Sequence, residues 1–198
     1  MAFASTRKGK VVRILLGCRD NVPRPKEISM RHILATFAAL ALIVPAANAA
    51  TPPRVGIASF EQLAKPLPLP YDEQANADAQ VAAAKARAKA RRKLLLIDLG
   101  GNWCLDCRLL AGTMDTPTLK GFVDKHYEIV TVDIGRFDKN LQVPAHYGIT
   151  KRLEGVPNLL IVDPRTDKLI NAGRTAALAD ARSMSPQGLA DWLARWVK

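Results

Sequence analysis

Leu94-Leu95-Leu96-Ile97-Asp98-Leu99, then Gly100-Gly101-Asn102, then Trp103-Cys104-Leu105-Asp106-Cys107-Arg108-Leu109-Leu110-Ala111 carries most of the structural information in this chain. The first six residues form a short continuous apolar run, the pattern of a strand buried on both faces, and the glycine pair ends it. The segment after Trp103 suits a helix beginning at the first cysteine. Unpaired backbone N–H groups and the positive end of the helix dipole then lie under Cys104 and favour its thiolate, the form that attacks a disulfide. Cys107, three residues on, shares a helical face with Cys104 and lies within its reach. One sulfur can attack a substrate disulfide and the other can resolve the mixed disulfide. A structural disulfide competes with this reading, although a bridge closing so short a loop constrains the unfolded chain little. A zinc site competes less well. Beyond the leader the remaining soft ligands are His126 and His146, twenty residues apart, which is not the close spacing of finger-type sites. No metal or organic cofactor is implied.

The residues downstream alternate in type. Thr116-Pro117 offers a cap and a first-turn proline for a helix reaching His126, and Glu128 to Ile134 reads as a second strand. Asn140 to Tyr147 reads as a short helix limited by Pro144, and Val156 to Val162 as a third strand. A turn at Asp163-Pro164-Arg165-Thr166-Asp167 leads into a fourth strand, Lys168 to Ala172, antiparallel to the third. Ser185-Pro186 opens a last helix whose Leu189, Trp192, Leu193, Trp196 and Val197 form one apolar stripe. Upstream, Asp72 to Lys93 reads as a helix with acids at its start and bases at its end. The expected fold class is α/β, a three-layer sandwich with a mixed central sheet flanked by helices.

The chain has 198 residues, 48% hydrophobic and 24% charged, with 12 Gly and 13 Pro, which excludes collagen-like, low-complexity and wholly disordered classes. Its formal charge of +11 is uneven: residues 1–49 hold 8 basic and 2 acidic groups, leaving 21 basic and 16 acidic groups for residues 50–198. The bases between Lys85 and Lys93 fall all around their helix, so they form a solvated surface with no stripe for nucleic acid. Met30-Arg31-His32, the apolar Ile33 to Val44 and the small residues Pro45 to Ala50 have the three parts of a secretory signal. Ala47-Asn48-Ala49 fits cleavage after Ala49. Met30 is the expected true start. Leu15-Leu16-Gly17-Cys18 imitates an acylation site, but Arg13 interrupts its apolar run. The expected organisation is a leader and signal over 1–49, a Pro-rich linker or surface-hugging arm over 50–71, and one domain over 72–198. Export to a bacterial envelope compartment, where disulfide chemistry is permitted, follows from the signal, with no stable membrane insertion after cleavage.

With these residues in place, the chain resembles the thioredoxin-like superfamily, in particular its exported (periplasmic) members with a Trp-Cys-x-x-Cys motif. Leu94 to Cys107 resembles that family's strand, motif and helix. The resemblance places Asp98 at the buried aspartate that shuttles the second cysteine's proton, and Val156-Pro157 at the cis-proline step that offers backbone groups to a bound peptide. From the residues alone, an Asp between Ile97 and Leu99 on a doubly buried strand is poorly solvated and its pKa is expected to rise, though a purely structural hydrogen-bonding role stays open. Sequence physics leaves the isomer of Val156-Pro157 open. Trp103 reads either as a plug at the core edge or as an apolar contact for unfolded substrate.

The chain departs from the family at three points, one of them a longer stretch from Tyr147 to Pro157 that adds Thr150 to Glu154. Leu105-Asp106 stands between the cysteines, and Asp106 brings negative charge that works against the helix dipole, which favours a reductant over a strong oxidant. Where many relatives carry a lysine beside the buried aspartate, this chain has Ile129. The implied activity is thiol–disulfide exchange with disulfide-containing envelope proteins, reducing or isomerising them. Cys104 attacks, Cys107 resolves, Asp98 moves protons, and Trp103, Val156 and Pro157 bind substrate. Electrons come from a membrane or soluble dithiol donor. The alternative is a non-catalytic binding or chaperone module with the cysteines closed as a staple.

Overall fold

The computed structural model describes residues 50–198; the expected signal sequence, its expected cleavage after Ala49, Met30 and Cys18 lie outside the described residues. Strand β1, Leu94–Gly100, pairs in parallel with β2, Tyr127–Asp133, and antiparallel with β3, Asn158–Asp163. β3 in turn pairs antiparallel with β4, Lys168–Leu169, giving a mixed four-stranded sheet in the order β2-β1-β3-β4. The connection between the parallel strands carries helices α1's successors α2, Leu105–Met114, and α3, Pro117–His126; α1 itself, Ala77–Arg91, precedes β1. Helix α4, Gln142–His146, lies between β2 and β3, and α5, Pro186–Ala194, closes the chain. This is a thioredoxin-like fold, the α/β sandwich expected from the element order and the form of it that the resemblance implied.

Both faces of the sheet are covered, which is why β1 can be apolar at successive positions. On one face Leu95, Ile97 and Leu99 pack with Val130, Val132 and Leu160 against Ala84 and Ala88 of α1 and Val143 of α4. On the other, Leu96, Leu159 and Ile161 meet Leu110 and Met114 of α2, Leu119 and Val123 of α3, and Leu189 and Leu193 of α5. The alternation of a strand puts Asp98 on the same side as Leu96, beneath α2. It is the one charged residue of the strand, and it is fully buried.

Several element ends differ from the expected ones for identifiable reasons. Helix α1 starts at Ala77 and not at Asp72, because Asn76 Oδ1 accepts from the Ala79 N–H while Asp72 is engaged in a local turn with the Gln74 N–H. β3 begins after Pro157, at Asn158. β4 stops at Leu169, short of Ala172, because the Asn171 side chain replaces the ladder. Its Oδ1 accepts from Ile161 N (2.9 Å) and its Nδ2 donates to Leu159 O (2.8 Å). α5 closes at Ala194, but Val197 stays buried in the same cluster.

Residues 50–71 lie on the body of the fold. Leu63 and Leu67 pack against Leu109 of α2, around a 3-10 turn at Phe60–Gln62. The Arg108 guanidinium donates to the carbonyls of Leu67 (3.0 Å) and Pro68 (3.1 Å), and Thr131 Oγ1 donates to Pro70 O (2.8 Å). No helix among the described residues is long and apolar enough to cross a membrane.

Candidate active site

The turn from β1 into α2 places Cys104 at the N-cap of α2, with extended backbone angles, and the Cys107 N–H donates to its sulfur at 3.1 Å. A sulfur thus occupies the capping place that a Ser, Thr or Asp oxygen usually fills. Cys104 and Cys107 are joined as a disulfide with Cα atoms 5.3 Å apart. Only Cys104 reaches the surface, at 4% exposure, and Cys107 is sealed. The Cys104 sulfur lies 3.5 Å from the carbonyl oxygen of Val156, and the Val156–Pro157 peptide bond is cis. The fold therefore gathers Cys104, Cys107, Asp98 and the Val156-Pro157 step around one corner.

Beneath the disulfide the surroundings are dry. Burial pushes Asp98 up from its ordinary 3.8 to about 7, opposed by one hydrogen bond from the Tyr71 hydroxyl (2.9 Å) to Oδ1. Oδ2 is buried without a partner. Tyr71 is raised well above the usual phenol range by its own burial and then by the charge of Asp98. Gly100 is required here: a Cβ on it would lie 2.7 Å from Tyr71 Cζ and 2.8 Å from the Cys107 sulfur, so phenol and sulfur face one another across the space a side chain would take. Tyr71 is fixed at both ends of its backbone, its N–H donating to Asn102 Oδ1 (3.1 Å) and its carbonyl accepting from Asn102 Nδ2 (2.8 Å).

Around the disulfide the surroundings are charged. Asp106 does not stand as the free negative charge its position in the sequence suggested. Arg182 donates to it from the backbone N–H (2.9 Å), Nε (3.0 Å) and Nη2 (2.5 Å). Burial works to raise the Asp106 pKa, but these hydrogen bonds and the guanidinium charge outweigh it and hold the carboxyl below its ordinary value. The carboxylate stays ionised and its field at Cys104 is largely offset. Trp103 is 41% exposed and does not plug the core; its Nε1 donates to Gly135 O at 2.8 Å. Arg136 stacks over Trp103 at 4.3 Å, and Arg152 stacks over the neighbouring Phe137 at 4.4 Å. A groove of about 490 Å³ opens beside Phe137, walled by Leu141, Pro144, Ile149, Arg152 and Leu153.

Tyr71 and Arg182 escaped the sequence reading. Tyr71 had a faint signal, a large aromatic ending a proline run; Arg182 had none, standing 76 residues from its partner. Ile129 packs with the apolar cluster of its face, and among the described residues the hydrogen-bond partner of Asp98 is Tyr71. Among the described residues no group of three or more His, Cys, Asp or Glu is placed to hold a metal ion. His146 bonds Asp167 at 2.9 Å, and His126 packs against Phe122.

A family model described as Thioredoxin-like matches residues 76–164. Among solved structures, the disulphide isomerase from Xylella fastidiosa Temecula1 is 38% identical, covering 65% of this chain and 96% of its own, with a TM-score of 0.59. The C-terminal domain of DsbD from Neisseria meningitidis, in the oxidised form, is 22% identical over 46% of this chain and 77% of its own, with a TM-score of 0.35. No curated protein sequence matches the chain.

Proposed function

The chain belongs to the thioredoxin-like family, and from that premise we propose that it is a thiol–disulfide oxidoreductase that reduces or isomerises disulfides in exported proteins of a bacterial envelope. One observation carries the reading: a cysteine sulfur caps a helix, accepts a backbone N–H at 3.1 Å, and sits beside the Val156 carbonyl with a second cysteine in bonding reach.

In the reduced protein the Cys104 thiolate, favoured by the dipoles of α2, attacks one sulfur of a substrate disulfide. The substrate S–S bond breaks, one substrate thiolate leaves, and a Cys104–substrate disulfide forms. Asp98 then takes the Cys107 proton, and the Cys107 thiolate attacks the Cys104 sulfur. The mixed disulfide breaks, the second substrate sulfur leaves as a thiolate, and the Cys104–Cys107 disulfide remains. Two electrons have passed to the substrate, and a second dithiol, membrane-bound or soluble, restores the reduced pair. Isomerisation uses the first step and its reversal by another substrate thiol. Trp103, the backbone at Val156-Pro157 and the groove beside Phe137 are the surface offered to an extended substrate chain. Export of the chain after cleavage at Ala49 supplies the compartment in which disulfide substrates occur.

Insulin reduction with dithiothreitol tests the assignment: Cys104→Ser brings turnover to the uncatalysed rate, and Cys107→Ser accumulates substrate-linked protein. Turnover surviving Cys104→Ser defeats it. A second reading, a binding module with a closed staple, draws on the near-complete burial of both sulfurs; a pair that resists a large excess of dithiothreitol favours that reading.

A further inference from the structure

We propose that Tyr71, brought in by the arm that precedes the domain, is the positioning residue of the resolving step: its hydroxyl occupies Asp98 Oδ1, so that the proton of Cys107 passes to Oδ2. The inference rests on the oxidoreductase reading and adds residues 50–71 to the redox site.

The geometry places the phenol against both Asp98 and the Cys107 sulfur. The phenol donates to Oδ1 at 2.9 Å and leaves Oδ2 as a buried oxygen with no partner. A buried, unpartnered carboxylate oxygen is costly unless a proton visits it. The Cys107 sulfur lies across the Gly100 gap from the phenol, sealed from water, so its proton has no direct solvent route. The arm is held to the cysteine helix itself, through Arg108, the residue after Cys107, and to β2 through Thr131. Asn102 brackets the Tyr71 backbone in the loop that leads to Cys104. The other elements around Asp98 present little charge: Leu159 of β3 is its apolar neighbour in register, and β2 offers Thr131 and, at its end, Asp133, which is paired with Lys139 at 3.3 Å. Glu73, in the turn after the arm, accepts from Asn102 Nδ2 at 3.3 Å and is exposed.

The balance of the step is one proton and one bond. Cys107 gives its proton to Oδ2, its sulfur takes the Cys104 sulfur, and the substrate sulfur departs with the electron pair of the broken mixed disulfide. In reverse, protonated Asp98 returns the proton to Cys107 as reductant opens the disulfide. A hydrogen bond from Tyr71 stabilises the ionised carboxyl, so its loss makes Asp98 accept a proton over a higher pH range.

The test follows the decay of the Cys104 mixed disulfide with a disulfide peptide, in single turnover, across pH 5.5 to 9. In the wild type the resolving rate rises with an inflection near the Asp98 value of about 7. Tyr71→Phe moves that inflection up by about one pH unit, with about ten-fold slower decay below it and recovery toward the wild-type rate at high pH. Asp98→Asn abolishes the inflection, and adding Tyr71→Phe to Asp98→Asn changes nothing further. An inflection unmoved by Tyr71→Phe, or equal slowing in the Asp98→Asn background, overturns the inference. A measurement needing no variant guards against an unfolded arm: in the oxidised wild-type protein, the Tyr71 ring carbons seen by NMR titrate together with the Asp98 carboxyl carbon, and a Tyr71 signal indifferent to that titration also overturns it. A wild type that forms no Cys104 mixed disulfide defeats the oxidoreductase reading, whereas mixed disulfides whose resolution ignores Tyr71 defeat this inference alone.

Discussion

Two carboxylates flank the disulfide, and their surroundings push them in opposite directions. Asp98, below, is sealed within the strand against Tyr71, keeps one oxygen without a partner, and rises to about 7. Asp106, at the rim, is nearly as buried but is gripped by Arg182 and stays ionised. The difference lies in the supply of donors. A buried acid given one phenol has its proton affinity raised toward neutral pH, whereas one given a guanidinium and a backbone N–H becomes a fixed charge whose field is offset nearby. In the proposed mechanism the floor of the site moves a proton, and the rim holds Cys104 and presents a surface.

Breaking the floor produces the largest effect. An acid whose folded pKa is raised contributes stability that is fully present below its unfolded value and is lost as pH rises through the folded one. For Asp98 that window runs from 3.8 to about 7, and the loss across it is about 4 kcal/mol. Chemical denaturation of the oxidised protein at pH 4 and pH 8 measures it: Asp98→Asn removes this part of the pH dependence and is the more stable protein, relative to wild type, at the higher pH. A variant with the wild-type slope contradicts the burial of an ionisable Asp98. Next comes Gly100→Ala. Its methyl must displace the phenol or the Cys107 sulfur, so denaturant midpoints fall by the equivalent of about 1 to 3 kcal/mol, the range for overpacking.

At the rim the effects are smaller and of another kind. Arg182→Gln uncovers the Asp106 charge, which slows alkylation of Cys104 in mildly acidic buffer; Asp106→Asn does not slow it. Equal slowing by both would assign Arg182 a packing role in place of the electrostatic one. Trp103→Ala, finally, leaves the alkylation rate of Cys104 unchanged and raises KM for a protein substrate a few-fold, as loss of an exposed aromatic contact does.

The same contrast explains what could be read from the sequence. The floor announced itself because burial on both faces leaves an unbroken apolar run, and a lone Asp inside such a run stands out. The cysteine spacing was legible because local rules govern strand, cap and turn, whereas the place of Val156-Pro157 in the site came from the family resemblance. What escaped depends on pairing across long separations. Tyr71 sits in a Pro-rich segment whose composition describes an extended chain and says nothing of where it docks; Arg108, Thr131 and Asn102 decide that. Arg182 reaches Asp106 from a 3-10 turn near the end of the chain. The fourth strand was overread because Asn171 looks like any polar residue until its amide is seen bonding β3 in place of a backbone.

The central claim is that the dipoles of α2 favour a thiolate on Cys104. Its most direct test is the rate at which iodoacetamide labels Cys104 in the reduced full chain, read by mass spectrometry of the Cys104 peptide and compared with glutathione in the same mildly acidic buffers. The account predicts faster labelling of Cys104 than of glutathione, with the advantage widening as the pH falls. Labelling no faster than that of glutathione at every pH would contradict it.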